Sequence, residues 1–493
     1  MASSKKYYIS TPLYYVNSRP HIGHAYTTLA ADVLKRHLKS IGKDVYLQTG
    51  TDEHGINIER ISSENNKTPK EWADDVVKDF KEMWKVLHID YDYFIRTTDD
   101  YHQKQVQLIF ERLIRSGDIY KGSYDGLYCS SCETFYDESE LVEGNCPIHK
   151  KPVEKVNEET YFFRLSKYQD PLLKYYSENP SFLSPSFRAP EILRFVEGGL
   201  KDISVSRTRV KWGIPVLSDP NHTIYVWFDA LINYITGIGY DIEKEKNEKF
   251  ESFWPCDLHL IGKEIFRFHA VIWPAILLAL KLPLPKKVYA HGWWTVDGEK
   301  MSKSRGNIIN PLDIVKEYGV DVFRYFIFKE VPFGQDGDFS MELLKAKYNS
   351  DLANGIGNLF SRTVNMVKKY LDNVMPEKPE DSEIFSRFLS MQKDIYNDIE
   401  ELQFSLALDK VMKAVSILNK EVDTKKPWEL AKSDTVALKK FLNEMVWCLR
   451  LISRWIYPFM PDTSAKMNMY LAIGKTQHPD VNAAKLTPLF PKK

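Results

Sequence analysis

The sequence predicts an α/β fold: a doubly wound parallel sheet, split by a long insertion and followed by an all-α helical bundle. Three observations carry that expectation. Strand, glycine-bearing loop, helix and strand follow one another from Lys6 to Thr49, the pattern of a βαβ unit and hence of a parallel sheet. The pattern returns at residues 257–289, so one Rossmann-like sheet interrupted at about 116–220 accounts for both halves. After about Met341 the apolar residues fall into long stripes at helical spacing.

In chain order, Lys6–Tyr15 is rich in Tyr, Ile and Thr and is expected as a buried strand. Ile22, Ala25, Leu29, Val33, Leu34, Leu38 and Ile41 mark one face of the helix that follows. Val45–Thr49 is the second strand, ended by Gly50. The insertion holds three of the five cysteines among many Gly, Pro and Asn punctuators. Asp257–Ile261, a helix from Lys263 to Leu280, and Lys287–Tyr289 complete the sheet. Leu344, Tyr348, Leu352, Ile356, Leu359, Phe360, Val364 and Val367 form one stripe of the bundle. Leu438, Phe441, Leu442, Met445, Val446, Leu449, Ile452, Trp455 and Ile456 form another. The expected division is 1–115 and 221–295 for the two halves of the sheet domain and 116–220 for the insertion. Residues 296–345 are a loop-bearing connection, and 346–493 the helical domain.

The bulk numbers narrow the class. With 493 residues the chain exceeds one ordinary core, so several domains are required. Lys plus Arg equals Asp plus Glu at 67 each, which excludes a histone-like binder driven by net charge but leaves room for a local basic face. Met1–Lys6 is polar, unlike a secretory leader, and the apolar run Ala270–Leu282 is too short to span a bilayer and is broken by Pro274. A soluble cytoplasmic protein without membrane association is expected.

At residues 21–24 stands His-Ile-Gly-His, after a strand and at the opening of a helix. Backbone N–H groups at a helix start attract phosphate, and the helix dipole adds to that attraction. Gly23 removes a side chain where a ribose or base would pack, and imidazoles can donate to phosphate oxygens as charge develops. Two surface histidines would read the same way. Lys300-Met301-Ser302-Lys303-Ser304, flanked by Gly298 and Gly306, makes a cationic loop able to clasp a triphosphate; a solvated basic loop is the alternative. Each segment follows a strand of the sheet, where ligands of such folds bind. Together they resemble, letter for letter, the two hallmark motifs of the class I aminoacyl-tRNA synthetases.

Within that class the chain is similar to the methionyl-tRNA synthetases over nearly its whole length. The similar blocks are Pro12-Leu13-Tyr14-Tyr15-Val16-Asn17, Thr49-Gly50-Thr51-Asp52-Glu53-His54-Gly55, Tyr225-Val226-Trp227-Phe228-Asp229-Ala230 and Leu260-Ile261-Gly262-Lys263-Glu264-Ile265, the last running on to Phe268-His269. The resemblance implies that Asp52 pairs with the ammonium of L-methionine, and that Leu13, Tyr15, Trp227, Ala230, Tyr234, Ile265 and His269 line its side-chain pocket. Aromatic walls suit a flexible thioether. Read without the resemblance, Trp227, Tyr234 and Ile265 are equally well core residues. Leu231 stands where many relatives have Pro, which puts the pocket rim in doubt. The resemblance further implies ATP, with Mg²⁺, held by Asn17, Gly23, Glu264 and Lys303, and a pyrophosphate leaving group stabilised by His21, His24, Lys300 and Lys303.

Cys129-x-x-Cys132, thirteen residues, then Cys146-x-x-His149 has the ligand types and spacing of a tetrahedral Zn²⁺ knuckle, with no position left for water. A structural rather than catalytic metal follows, and the Thermus-like branch of the family carries the same arrangement. Cys256 and Cys448 read as core residues. Asn354, Asn358, Arg362 and Asn365 share one helix face opposite the apolar stripe, either a solvated face or one that meets unstacked bases. The resemblance implies that Asn358, Arg362 and Trp428 read the anticodon of tRNA(Met). Trp428 alone could equally pack on its own bundle. The chain stops soon after the bundle, so a monomer is expected. The rival classes are another class I synthetase, a small-molecule adenylyltransferase and a non-catalytic tRNA-binding scaffold. The insertion is short for the first's usual editing domain, the second has no use for the bundle, and intact His and Lys motifs argue against the third.

Overall fold

The computed structural model describes residues 6–129, 134–136, 138, 141–147, 150–244, 247–296, 298–300, 309–371, 377–471 and 487–493. Lys303, Cys132 and His149 lie outside the described residues, as does the side chain of Lys300. The chain divides into two compact units: Met1–Pro20, Lys43–Lys85 and Ile89–His291 in one, His21–Gly42, Val86–His88 and Gly292–Lys493 in the other.

The first unit is built on a six-stranded sheet of β1 (Lys6–Tyr15), β2 (Asp44–Asp52), β3 (Tyr93–Arg96), β4 (Leu183–Ser184), β5 (Leu258–Gly262) and β6 (Val288–His291). The order is β3-β2-β1-β5-β6-β4, with every neighbouring pair parallel. Sequence order therefore reverses between β1 and β5, and their carboxyl ends flank the crevice where doubly wound folds bind ligands. Pro12 cannot donate to a ladder, and the register of β1 on β2 shifts between Ser10 and Leu13 to accommodate it. Gly50 in β2 is obligatory, because a Cβ there would lie 2.0 Å from the carbonyl oxygen of Ile95. The insertion is mainly antiparallel, with Ile119–Cys129 paired to Thr134–Tyr136 and Glu154–Phe163. It is not wholly separate from the sheet, however, since β4 comes from within it; two residues are too few to show a periodicity.

Between and after the strands run α1 (Ile22–Ser40), α2 (Val226–Thr236), α3 (Val320–Lys329), α4 (Asn358–Tyr370), α5 (Glu383–Glu400), α6 (Phe404–Lys425), α7 (Pro427–Ser433) and α8 (Thr435–Ile456). The apolar stripe read for α1 is buried up to Leu38, but Ile41 is the C-cap and is exposed. The expected helix from Lys263 to Leu280 forms without being α-helical throughout. It contains a 3₁₀ turn (Lys263–Ile265), a π-helical turn (Phe268–Ile272) and an α-helix (Trp273–Ala279). Pro274 has no N–H for the carbonyl of Ala270, which instead accepts from the Tyr176 hydroxyl at 2.7 Å.

In the second unit α5, α6 and α8 pack together, and both predicted stripes are buried throughout. Arg324 of α3 is fully buried. It donates to Asp32 of α1 at 2.6 Å and to the carbonyls of Leu87, Pro458 and Phe459 at 3.0, 2.8 and 2.9 Å. Among the described residues no helix is long and apolar enough to cross a membrane.

Candidate active site

The carboxyl ends of β1 and β2 bring three expected residues to one face. Tyr15 is in register with Asp52 and Leu13 with Gly50, so the alternation of a strand points Leu13, Tyr15 and Asp52 the same way. All three are half-buried. The residues after Asp52 are tethered tightly. Glu53, fully buried, takes both arms of Arg96 at 2.7 and 2.8 Å and the hydroxyls of Thr51 and Thr98 at 2.6 Å. His54 reaches Asp229 of α2, Nδ1 to Oδ2, at 2.7 Å.

On α2, Trp227, Ala230 and Tyr234 share a face at helical spacing. The helix is held to the sheet by the Tyr8 hydroxyl, 2.9 Å from the Tyr234 carbonyl, and by Gln48 Nε2, 2.7 Å from Asn233 Oδ1. Tyr234 meets His269, hydroxyl to Nε2, at 2.6 Å, while His269 Nδ1 lies 3.0 Å from the carbonyl of Ile265. A carbonyl only accepts, so Nδ1 carries the ring hydrogen and Nε2 accepts from Tyr234. Behind them His259 is fixed by Ser10 at 2.6 Å and by the indole N–H of Trp273 at 3.1 Å. Three of the residues expected to line the pocket, Tyr234, Ile265 and His269, are thus brought together. Trp227 joins them by stacking on Phe268, with ring centroids 3.8 Å apart and 11° between planes. Phe268, the partner in this stack, was not among the expected site residues, although it stands beside His269 in the matched block. Asn17 is exposed in the turn after β1, and Glu264 is exposed in the 3₁₀ turn after β5.

Burial lowers the pKa of His269 to about 4, and it holds His259 well below the usual imidazole range with His269 adding to the effect. Both rings are neutral at pH 7. The unfolded chain takes up a proton on each near 6.5, so below that value it binds more protons than the folded state, and stability falls as pH falls. The loss from His269 is absent above pH 6.5 and grows to roughly 3 kcal/mol by about pH 4. Urea unfolding at pH 7 and pH 4.5 is expected to show a smaller pH-dependent loss in His269→Gln than in the unsubstituted chain; equal losses would remove this ring from the account.

In the second unit, His21 and His24 meet as a reciprocal cap on α1. The Gly23 N–H donates to His21 Nδ1 and the His21 N–H to His24 Nδ1, both at 3.1 Å. With Nδ1 accepting in both rings, each neutral imidazole carries its hydrogen on Nε2, as a donor. Burial, and secondarily His21, hold the pKa of His24 well below its ordinary value. The first turn of α1 has no acidic residue to compete with an anion.

Farther along this unit, Asn354, Asn358 and Asn365 are exposed and Arg362 half-buried, on the face predicted. Arg362 lies 3.1 Å from Asp423, near the end of α6, and Trp428 follows the left-handed corner at Lys426 with 46% of its surface exposed. Arg362 is thereby held beside the corner that carries Trp428.

Of the four expected metal ligands, Cys129 and Cys146 are described, and both are buried. Cys129 closes a strand opposite Thr134, and Cys146 opens a turn in which its carbonyl accepts from Lys150 at 2.8 Å. Among the described residues no group of three metal ligands occurs, the other two expected ligands lying outside them. Two buried thiols are of the donor type that a structural Zn²⁺ takes. Cys256 and Cys448 are buried core residues, as read.

Comparison with known proteins defines the class first. Residues 7–155 and 148–364 match the family model described as tRNA synthetases class I (M), and residues 381–486 match the anticodon-binding domain of tRNA ligase. The chain is 51% identical over 475 residues to the methionine–tRNA ligase of Caldanaerobacter subterraneus, covering 95% of this chain and 74% of that protein. It is 49% identical over 472 residues to the Thermotoga maritima enzyme, covering 94% and 74%. Among solved structures, Mycobacterium tuberculosis methionyl-tRNA synthetase in complex with methionyl-adenylate superposes with a TM-score of 0.92 at 37% identity, over 99% of this chain and 100% of that one. The apo form of that enzyme gives 0.86 at 35% identity, over 99% and 98%. The chain belongs to the class I methionyl-tRNA synthetases.

Proposed function

We propose that the chain activates L-methionine with MgATP and esterifies it to tRNA(Met), each residue below acting as assigned. The observation that carries this reading is the likeness to a methionyl-tRNA synthetase in complex with methionyl-adenylate, over essentially the whole of both chains. In the first step the methionine carboxylate attacks the α-phosphorus of ATP, forming methionyl-adenylate and releasing pyrophosphate. In the second the 2′-hydroxyl of the terminal adenosine of tRNA attacks the mixed anhydride and releases AMP. Asp52 takes the ammonium, and Leu13, Tyr15, Trp227, Ala230, Tyr234, Ile265 and His269 take the thioether chain. The hydrogen bonds of Tyr234 and His269 use the hydroxyl proton and both ring nitrogens, so the end of the pocket selects the thioether by shape and dispersion. Asn17, Gly23, Glu264 and Lys303 hold ATP. His21 and His24, through Nε2–H, and Lys300 and Lys303 stabilise the departing pyrophosphate.

The division at 1–115, 116–220, 221–295, 296–345 and 346–493 is proposed with the functional roles expected of it, in a cytoplasmic enzyme. Pyrophosphate exchange into ATP tests the whole reading when run with each of the twenty amino acids. Methionine alone should support incorporation; exchange driven by another amino acid and not by methionine would overturn it.

Cys129, Cys132, Cys146 and His149 hold Zn²⁺ in a structural role, supported by the burial of the thiols of Cys129 and Cys146. When bound, the ion supplies cross-linking of the insertion and no reaction chemistry. One zinc per chain is expected from metal analysis of purified protein, and its removal by a chelator should open the insertion to protease while the bundle stays resistant. Unchanged cleavage after complete removal would rule the role out.

Asn358, Arg362 and Trp428 meet the anticodon. A surface ion pair such as Arg362–Asp423 is worth little, so Arg362 is available to RNA at small cost. Trp428→Ala should lower kcat/KM for tRNA charging roughly 10- to 100-fold, the effect of losing one base stack. Pyrophosphate exchange should not change; a loss shared equally by both assays would speak against RNA contact.

A further inference from the structure

Helix α2 has two working faces. Trp227, Ala230 and Tyr234 lie on the first, which is read above as pocket wall. Asp229, Asn233 and Thr236 lie on the second, and each is tied to another element. Asp229 Oδ2 is 2.7 Å from His54 Nδ1, and Oδ1 is 2.8 Å from His102 Nε2. Thr236 is 2.8 Å from His102 Nδ1, and Asn233 is held by Gln48. The side chains of His54, His102 and Asp229 are at most 5% exposed.

An ionised carboxylate only accepts, so His54 Nδ1 and His102 Nε2 both donate to Asp229, while the Thr236 hydroxyl lies 2.8 Å from His102 Nδ1 and 3.3 Å from the Ile232 carbonyl. Burial opposes the charge on Asp229, but the two histidines outweigh it and hold the carboxyl below its ordinary pKa. A buried charge fixed by two opposed donors resists rotation of either partner. His54 stands two residues beyond Asp52, in a loop already tethered through Glu53. The cluster therefore joins the loop that carries the ammonium partner to the helix that carries the thioether wall.

We propose that His54, Asp229 and His102 are positioning residues: a strut that sets the distance between the two ends of the amino-acid pocket and so its discrimination of chain length. The strut touches no reacting atom. It rests on the reading of Asp52 and of Trp227, Ala230 and Tyr234 as those two ends.

The test is pyrophosphate exchange with methionine and with its one-carbon-longer homologue ethionine, alongside thermal unfolding. Asp229→Asn and His54→Ala should each raise KM for methionine about tenfold and reduce the preference for methionine over ethionine by a similar factor, leaving KM for ATP unchanged. His54→Asn, whose amide can place a donor near that of Nδ1, should recover most of both. A merely structural role would lower the melting temperature but leave KM and the preference of the folded enzyme unaltered, and that result overturns the proposal. So does a His54→Asn enzyme no better than His54→Ala. Should Asp229→Asn fail to fold, the two His54 variants decide. Asp52→Asn is assayed in parallel. If its KM for methionine is unchanged, the pocket reading falls and the strut with it; if only Asp52→Asn impairs methionine binding, the strut alone is wrong.

Discussion

His24→Asn should slow methionine-dependent pyrophosphate exchange by about 10²- to 10³-fold, the usual loss when one preorganised donor to a developing negative charge is removed. Asparagine is the informative replacement because its carboxamide can still accept the His21 N–H, now bound by His24 Nδ1 at 3.1 Å, while it lacks anything at Nε2. The cap is kept and the donor is lost. The melting temperature should therefore move little, and KM for methionine should stay near its original value, because the ammonium and thioether contacts are untouched. Since His24 is held well below the usual imidazole range, its contribution comes from a neutral N–H and should not fade as pH rises from 6 to 8. Lys303→Ala is expected to show the same pattern of slow exchange with normal methionine affinity. Full exchange in His24→Asn would mean that its ring serves only to cap the helix.

Arg324→Met should destabilise the protein by roughly 3–5 kcal/mol, as the removal of one partner from a buried ion pair does. Asp32 would keep its 2.8 Å contact with Arg36, but the carbonyls of Leu87, Pro458 and Phe459 would each lose a donor inside the protein. Methionine is close enough to arginine in length to limit the cavity, so most of the loss is electrostatic. Replacing Asp32 by leucine in the same chain should not restore the loss, because Arg36 still holds that carboxylate at 2.8 Å and would be left without it. Urea unfolding curves of the two variants check both statements. A cost for Arg324→Met no greater than that of an ordinary surface substitution, about 0.5 kcal/mol, would show that the guanidinium is dispensable.

Much of this architecture was legible before any coordinates. Stripes such as Leu438–Ile456 declared themselves because a buried helix face repeats every three or four residues. The βαβ order foretold a parallel sheet because short connections leave few topologies. What stayed hidden depends on long-range partners. Leu183–Ser184 becomes a strand only because Val288 and Tyr289 lie beside it. The departure of the Lys263–Leu280 helix from α geometry was half visible in Pro274, but the π-helical turn needed Tyr176 to satisfy Ala270. The site divides the same way. Asp52, Tyr234 and His269 are expected from short matched blocks, whereas His102 belongs to no block and is joined to Asp229 from 127 residues away. The tautomers of His21, His24 and His269 follow from the acceptors around each ring, which a sequence does not display.

The order of strands in the sheet also governs how the molecule can be made. β1 leaves the ribosome first yet ends in the middle of the sheet, with β2 on one side and β5 on the other. Ser10 and His259, which face each other across the second of these pairings, are 249 residues apart. At translation rates of 5–20 residues per second, roughly 12 to 50 s pass between their appearances. For that interval one flank of the nascent sheet has no neighbour in its own polypeptide, and a bare strand flank is a template for other chains. The centre of the sheet is thus closed late, with only β6 still to be added.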